Sequence, residues 1–597
     1  MRRIRAGGLA AAVAAVAMAV IAPVGHVGDV VHAQNGGGPP AGTCMALAGA
    51  AGLSNATAVI TTAVLTPPSE PRPGRNSFVP PTPALPEHCD VAGKIAERTG
   101  MNGQRYAIKF RLRLPTVWNG RFFFEGGGGS NGTVGSALGT LQGQQPTVAL
   151  ALGYAVVSQD SGHDNMANND PMRGGSQTFG FDTQARLDFG YNSYDQVAGL
   201  SKAIIARYYG RAPEKSYFVG CSEGGREGMM LSQRFPNDFD GILACSPGFN
   251  LPRAAVAEAW DSQAFADVAR ASNVFDSNSQ PFLNKTFTDQ DLLLVSNAVL
   301  VACDGLDGAA DGMVQNFSAC TTAAVAPKLS AITCAGAKTD SCLSSAQVAA
   351  LKKVFGGART SKGEAVYAGW AWDAGIGGRV GDVYNQGWRA WKLGPYGAPV
   401  NAAINLTLGA SALPSIFVTP PVAVSMSGGG AAAYSLAFDV DRYRAALANK
   451  ADEFRQSSLE FMKADATDLS AFARRGGKLV IVQGVSDPVF SILDTIAWWN
   501  ALDKLNRANR GGAAEFARLF AVPGMNHCAG GPSTDQFDAF GALVAWVEKG
   551  SAPERIVATA RVGTPWAGRT RPLCAYPKQA RYRGTGNVEE ADSFVCQ

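Results

Sequence analysis

Tyr217-Phe218-Val219-Gly220-Cys221-Ser222-Glu223-Gly224-Gly225 is a short apolar run that breaks on glycine around a single serine. Gly220-x-Ser222-x-Gly224 is the pattern of a nucleophile elbow, in which a sharp strand-to-helix turn holds a serine hydroxyl clear of the backbone. The hydroxyl needs a base, and near neutral pH histidine is the usual one. The chain has five His, of which His26 and His32 fall in a leader-like N-terminus. A second pair of neighbours, His527-Cys528, matches Cys221-Ser222. If Cys221 bonds Cys528, the nucleophile and its base are tethered, which points to a serine hydrolase.

Outward from the elbow, strand and helix patterns alternate. Upstream, Tyr106 to Leu114 alternates as a half-buried strand. Phe122-Phe123-Phe124 and Tyr154 to Ser158 are apolar runs suited to buried parallel strands. Tyr194 to Tyr209 has helical spacing. Downstream come a helix to Arg234 and a strand at Gly241 to Ala244. The rhythm is lost from about 250 to 468. It resumes with a strand at Lys478 to Gly484, a helix near 491–506 and a strand at Ala517 to Val522. The expected fold class is α/β: an α/β-hydrolase core formed by residues 34–249 and 469–597, with a large inserted lid domain at 250–468. Residues 34–85, rich in Gly, Pro, Ala and Thr, read as an irregular N-terminal arm.

That chain order selects the remaining site residues. His527 follows the last core strand, where the order nucleophile, acid, base puts the histidine. His163 precedes Ser222 and reads as a structural residue or a metal ligand, and His88, which adjoins Cys89, reads as structural. Asp487, at the end of the 478–484 strand, is the expected acid, with Asp494 as its competitor. Acyl transfer also needs two N–H donors for the oxyanion. Glu223 follows the nucleophile. Gly129, in Phe124-Glu125-Gly126-Gly127-Gly128-Gly129-Ser130, supplies the second. No Lys-Ser/Thr follows that loop, so a phosphate cradle is not indicated. In Asp304-Gly305-Leu306-Asp307-Gly308-Ala309-Ala310-Asp311-Gly312, three carboxylates share a glycine-rich loop. This suits a structural Ca2+ ion, although the spacing is not that of an EF-hand and a solvated acidic turn is the alternative.

Arg2, Arg3 and Arg5, an apolar stretch from Gly7 to Val24 and Val31-His32-Ala33 read as a signal peptide over 1–33. No later segment reaches the roughly 18 apolar residues of a membrane span. Loss of the leader removes Arg2, Arg3, Arg5 and Asp29, which lowers the net charge from +4 to +2. Basic residues are scattered, so nucleic acid is not an expected partner. All eleven Cys follow the leader, and an exported chain with so many should carry disulfides, with one thiol left over. No CxxC pair of zinc-ligand type occurs. The chain is expected to be secreted or periplasmic, and a monomer.

At these residues the chain resembles the tannase and feruloyl esterase family. The likeness runs from about Cys44 to the C-terminus. It is carried by Leu85-Pro86-Glu87-His88-Cys89, Trp118 to Phe123, Tyr191 to Gln196, Gly220 to Gly228 and Pro523-Gly524-Met525-Asn526-His527-Cys528. The resemblance implies the triad Ser222, Asp487 and His527, with oxyanion donors at Gly129 and Glu223. It implies calcium held by Asp304, Asp307 and Asp311 and by the carbonyls of Ala309 and Met313. It also implies the pairs Cys44–Cys89, Cys221–Cys528, Cys303–Cys320, Cys334–Cys342 and Cys574–Cys596, which leaves Cys245 free.

The expected reaction is hydrolysis of small aromatic esters, mono(2-hydroxyethyl) terephthalate foremost, with plant phenolic esters as the alternative. A non-catalytic, calcium-stabilised binding protein is the reading of a different class. Leu251, Leu408, Val489 and Phe490 match pocket-wall positions of the family. Members acting on a terephthalate monoester hold its free carboxylate with a lid arginine, where backward alignment from Thr419-Pro420-Pro421 places Ile404. A buried carboxylate without a partner is costly. Either Lys392, aligned with a pocket tryptophan, replaces that arginine, or the preferred ester lacks the carboxylate.

Overall fold

A computed structural model describes residues 41–49, 55–73, 81–377, 387–395 and 397–597. The signal-peptide reading of 1–33 lies outside them. All described residues belong to one compact unit.

The frame is a nine-stranded mixed sheet in the order β1-β2-β3-β5-β4-β6-β7-β8-β9. Its strands are β1 (Ala58–Thr66), β2 (His88–Thr99), β3 (Arg105–Pro115), β4 (Arg121–Glu125), β5 (Ala155–Gln159), β6 (Lys215–Cys221), β7 (Gly241–Cys245), β8 (Lys478–Gly484) and β9 (Ala517–Val522). From β5 through β9 every pairing is parallel. Central parallel strands are covered on both faces, which is why their sequences are uniformly apolar rather than alternating. Phe122 and Phe124 pack with Phe218 and Ile242 on one face. Phe123 packs with Tyr217, Leu243 and Val482 on the other. Helix α1 (Ser193–Tyr209) lies with the first group and helix α7 (Ala539–Lys549) with the second.

The N-terminal edge departs from the sequence reading. Within the arm expected to be irregular, Ala58-Val59-Ile60-Thr61-Thr62-Ala63-Val64-Leu65-Thr66 is the edge strand β1, paired antiparallel with β2. Its β-branched residues favour the strand, but as an edge it buries only Ile60 and Ala63, so no clean alternation marks it. A register shift between Ile60 and Thr62 blurs the pattern further.

Helix α2 (Glu223–Arg234) follows β6. Between the adjacent strands β7 and β8 the chain leaves the sheet. Among its described residues this insertion forms no strand. It contains α3 (Leu251–Ala271), α4 (Asp289–Cys303), α5 (Ser345–Phe355) and several short turns, two of them wide π turns at Asn405–Gly409 and Leu413–Phe417. Helix α6 (Ile492–Arg510) connects β8 to β9. After β9, a three-stranded antiparallel sheet and a two-stranded one complete the chain.

Five disulfides join Cys44–Cys89, Cys221–Cys528, Cys303–Cys320, Cys334–Cys342 and Cys574–Cys596. Cys245 is a free, buried thiol. No helix among the described residues is long and apolar enough to cross a membrane.

Candidate active site

The carboxyl ends of β4, β6, β8 and β9 supply Gly129, Ser222, Asp487 and His527, each on the loop leaving its strand. Ser222 closes β6 and opens α2 with a φ of +64° and a ψ of −120°, a left-handed conformation that a side-chain-bearing residue adopts only under constraint. The constraint comes from its neighbours. Ser222 N–H donates to the Cys245 carbonyl (3.0 Å), and the following helix packs so closely that a Cβ on Gly220 would lie 2.6 Å from the Gly224 backbone.

His527 Nε2 is 2.8 Å from Ser222 Oγ. Its Nδ1 is 3.0 and 3.1 Å from the two Asp487 oxygens, which makes Nδ1 the protonated nitrogen of the neutral ring and leaves Nε2 a lone pair facing the serine. Asp487 is fixed in turn by the N–H groups of Val489 (2.9 Å) and Phe490 (3.1 Å). The rings of Trp391 and Phe490 stand edge-on to the imidazole at 5.2 and 5.5 Å and screen it from water. The Cys221–Cys528 bond ties the residue before the nucleophile to the residue after the histidine, with their Cα atoms 6.0 Å apart.

The competing residues have other partners. His88 donates from Nδ1 to the Pro86 carbonyl (2.8 Å) and accepts from Arg113 at Nε2 (2.9 Å), a neutral structural histidine. His163 is buried and stacked on Phe179, and burial pulls its pKa down to about 4. Asp494 meets Asn250 (3.3 Å), not His527. It is half-buried rather than solvated, with a pKa that burial raises to about 6.

Behind the glycine loop lies a buried polar group. Glu227 of α2 accepts from Gly127 N–H (3.0 Å) and from Asn131 Nδ2 (2.6 Å), and Gly224 N–H returns a bond to the Gly127 carbonyl (3.1 Å). Burial raises the Glu227 pKa to about 7, with nearby Glu223 adding to the shift. Glu223 is itself paired with Arg226 at 2.9 Å. As the first residue of α2, Glu223 has an N–H with no acceptor inside the helix.

A cleft of about 480 Å3 opens beside Ser222. Leu251, Leu408, Val489 and Phe490 line it, as do Gly129 and Glu223. Lys392 does not belong to that lining. Its neighbour Trp391 does. The Lys392 ammonium points into the insertion, 2.5 Å from Asp261 and 3.7 Å above the Trp370 ring. Fully buried and already paired, it is not available to a substrate carboxylate.

Sequence reading missed Phe189, Ala255, Glu258, Phe417 and Trp391 as lining residues. Ala255 and Glu258 were within reach, since they follow Leu251 by four and seven residues on one helical face. Phe189 and Phe417 come from π turns, which have no sequence signature.

In the acidic loop, Asp304 accepts backbone N–H groups of Asp311 (3.1 Å), Gly312 (3.0 Å) and Met313 (3.2 Å). Asp311 pairs with Arg571. Asp307 Oδ2 is buried with no hydrogen-bond partner, and burial together with Asp311 and Asp304 lifts that carboxyl to about 6. Among the described residues no group of three or more His, Cys, Asp or Glu is arranged to hold a metal ion.

The family model described as tannase and feruloyl esterase matches residues 89–597. A mono(2-hydroxyethyl) terephthalate hydrolase from Piscinibacter sakaiensis is 49% identical over 525 residues, covering 86% of this chain and 85% of that protein. Among solved structures, feruloyl esterase B from Aspergillus oryzae superposes with a TM-score of 0.71 at 22% identity, over 93% of this chain and all of that one. Tannin acyl hydrolase from Aspergillus niger does so with a TM-score of 0.62 at 20% identity, over 94% and 96%.

Proposed function

We propose, from the premise that this chain belongs to the tannase and feruloyl esterase family, that it is an exported serine esterase of small aromatic esters working through Ser222, His527 and Asp487. The chain is a carboxylic ester hydrolase of the mono(2-hydroxyethyl) terephthalate hydrolase type. In this reading residues 34–249 and 469–597 form an α/β-hydrolase core and 250–468 its lid. The observation that carries the mechanism is the 2.8 Å approach of His527 Nε2 to Ser222 Oγ, with Nδ1 held by Asp487.

His527 takes the Ser222 proton as Oγ attacks the ester carbonyl carbon. The oxyanion that forms accepts from the N–H groups of Gly129 and Glu223. Asp487 holds the ring in its tautomer and stabilises the imidazolium. The carbonyl–oxygen bond to the alcohol breaks, and His527 donates its proton to the departing alkoxide. A water molecule, deprotonated by His527, then attacks the acyl-serine. The aromatic acid leaves and Ser222 regains its proton.

Five disulfides suit an oxidising compartment and so support export. A structural Ca2+ ion belongs to the same reading. Asp307, with its buried unpartnered oxygen, would be its first ligand; Asp304, Asp311 and the carbonyls of Ala309 and Met313 would have to close on the ion, because the three carboxylates as they stand do not form a ligand set. When bound, the ion neutralises clustered carboxylates. It takes no part in ester cleavage.

Plant phenolic esters are the second reading. It is favoured by the lack of any Lys or Arg among the described residues lining the cleft. Turnover of mono(2-hydroxyethyl) terephthalate, methyl ferulate and propyl gallate by wild type and Ser222→Ala tests the whole proposal. At least one ester should be cleaved, and the variant should lose about 10^3-fold or more in kcat. Undiminished hydrolysis by the variant, or no labelling of wild type by a fluorophosphonate probe, would end it.

A further inference from the structure

Glu258 lines the cleft, yet the reaction above has no use for it. It stands on α3 in register with Leu251 and Ala255, which line the same wall. Its carboxyl rests against the bare backbone of Gly409, at the end of the π turn Asn405–Gly409. A Cβ built on Gly409 would collide with Glu258 Oε2, so any larger residue there would evict the acid. Both Glu258 and Gly409 face the cleft, whose wall is mainly apolar, with side chains such as Trp391, Leu408 and Phe490.

The charged groups around it are already committed. Lys392 is paired with Asp261. Tyr367, the other titratable group facing Glu258, accepts the Ser491 N–H at 3.1 Å. Glu223 on the cleft wall is paired with Arg226, and Asp487 with His527. Among the described residues no hydrogen bond or ion pair satisfies the Glu258 carboxyl. A polar group left open in an apolar wall is costly unless a ligand completes it.

We propose that Glu258 is a specificity-determining residue of this esterase: its carboxyl hydrogen-bonds the polar substituent that the acyl aromatic ring carries besides the scissile ester, and it selects uncharged substituents, a phenolic hydroxyl or a second ester, over a free carboxylate. The inference rests on the esterase reading and names its preferred substrate class. Burial, offset in part by Lys392 and reinforced by the Asp261 carboxylate, raises the Glu258 pKa to about 8. Below that pH the group is an acid able both to donate and to accept. Above it, the group is an anion facing the substrate ring, and a carboxylate on that ring is repelled.

A terephthalate monoester is ionised throughout the neutral range, whereas bis(2-hydroxyethyl) terephthalate is neutral. The ratio of kcat/KM for the diester to that for the monoester cancels any pH dependence that the two reactions share. In wild type that ratio should rise about tenfold from pH 6.5 to pH 9. In Glu258→Gln, which cannot ionise, it should stay constant over the same range. A constant ratio in wild type, or the same rise in E258Q, overturns the proposal. The wild-type series alone decides should the variant not fold. Failure of the esterase reading is separate, because then neither ester is cleaved at any pH.

Discussion

Glu227 Oε2 accepts the Gly127 N–H at 3.0 Å, so the helix that begins at the nucleophile also carries the anchor of the glycine loop. Asn131 Nδ2 on Glu227 Oε1 and Gly224 N–H on the Gly127 carbonyl complete a frame that sets Gly129 relative to Ser222. The frame involves no substrate, so the proposed oxyanion donors are in place before binding.

Glu227→Ala leaves Gly127 N–H without its acceptor in a buried place and takes from Asn131 Nδ2 one of its two acceptors, Ser161 Oγ remaining, a loss of about 1–3 kcal/mol in stability. With the loop loosened, kcat should fall about 10^2-fold while KM changes little, because the donors act mainly in the transition state. Steady-state kinetics beside thermal unfolding separate the two effects. An unchanged kcat would mean that the loop is held by other contacts.

The Cys221–Cys528 bond closes the longest disulfide loop of the chain, with a sequence separation of 307, and flanks both reacting side chains. Cys221→Ala/Cys528→Ala should lower stability by about 2–5 kcal/mol. It should also reduce kcat, since the loops carrying Ser222 and His527 would then lose their covalent link and keep only hydrogen bonds and the sheet to set their spacing. The measurement is Tm and kcat of the double variant; loss of Tm with kcat intact would confine the bond to stability.

Chelation by EDTA should lower Tm by several degrees, and added calcium should restore it. Asp307→Asn should reduce the response to both, because its buried Oδ2 is the oxygen left without a partner. Equal Tm with and without chelator would remove the ion from the account.

Asp160 is buried at the end of β5. Its Oδ1 accepts from Lys109 N–H (2.9 Å) and Gly162 N–H (3.0 Å), while Oδ2 has no partner. Burial raises its pKa to about 8. The folded protein therefore keeps a proton that the unfolded chain gives up near pH 4. The stabilisation is complete below that value and is lost as pH rises toward 8. Asp160→Asn keeps the acceptor and removes the titration. Its Tm should decline less than that of wild type between pH 5 and 8.5, a comparison that calorimetry makes directly.

The core strands were legible because each is short, apolar and buried on both faces, as Phe122-Phe123-Phe124 shows. Ser222, Asp487 and His527 were legible because each follows such a strand, so a local pattern gives both the residue and its place on the sheet. The edge strand β1 was not, since one neighbouring strand and two buried residues leave almost no period to detect. Lys392 was read into the pocket but lies outside its lining, because the insertion has no strand rhythm to show which way a side chain faces.

By itself the sequence determined the α/β character, the elbow and the order of the three site residues, all properties of segments a few residues long. The family's cysteine pattern also implied all five pairings. Only the tertiary structure decided what the cleft is made of. It turned Lys392 away onto Asp261, put Trp391 against His527, and set Glu258 on the wall across a glycine. Which way a side chain faces in an irregular insertion depends on contacts between residues far apart in the chain. Asp261 and Lys392 stand 131 positions apart, a pairing invisible to any local pattern.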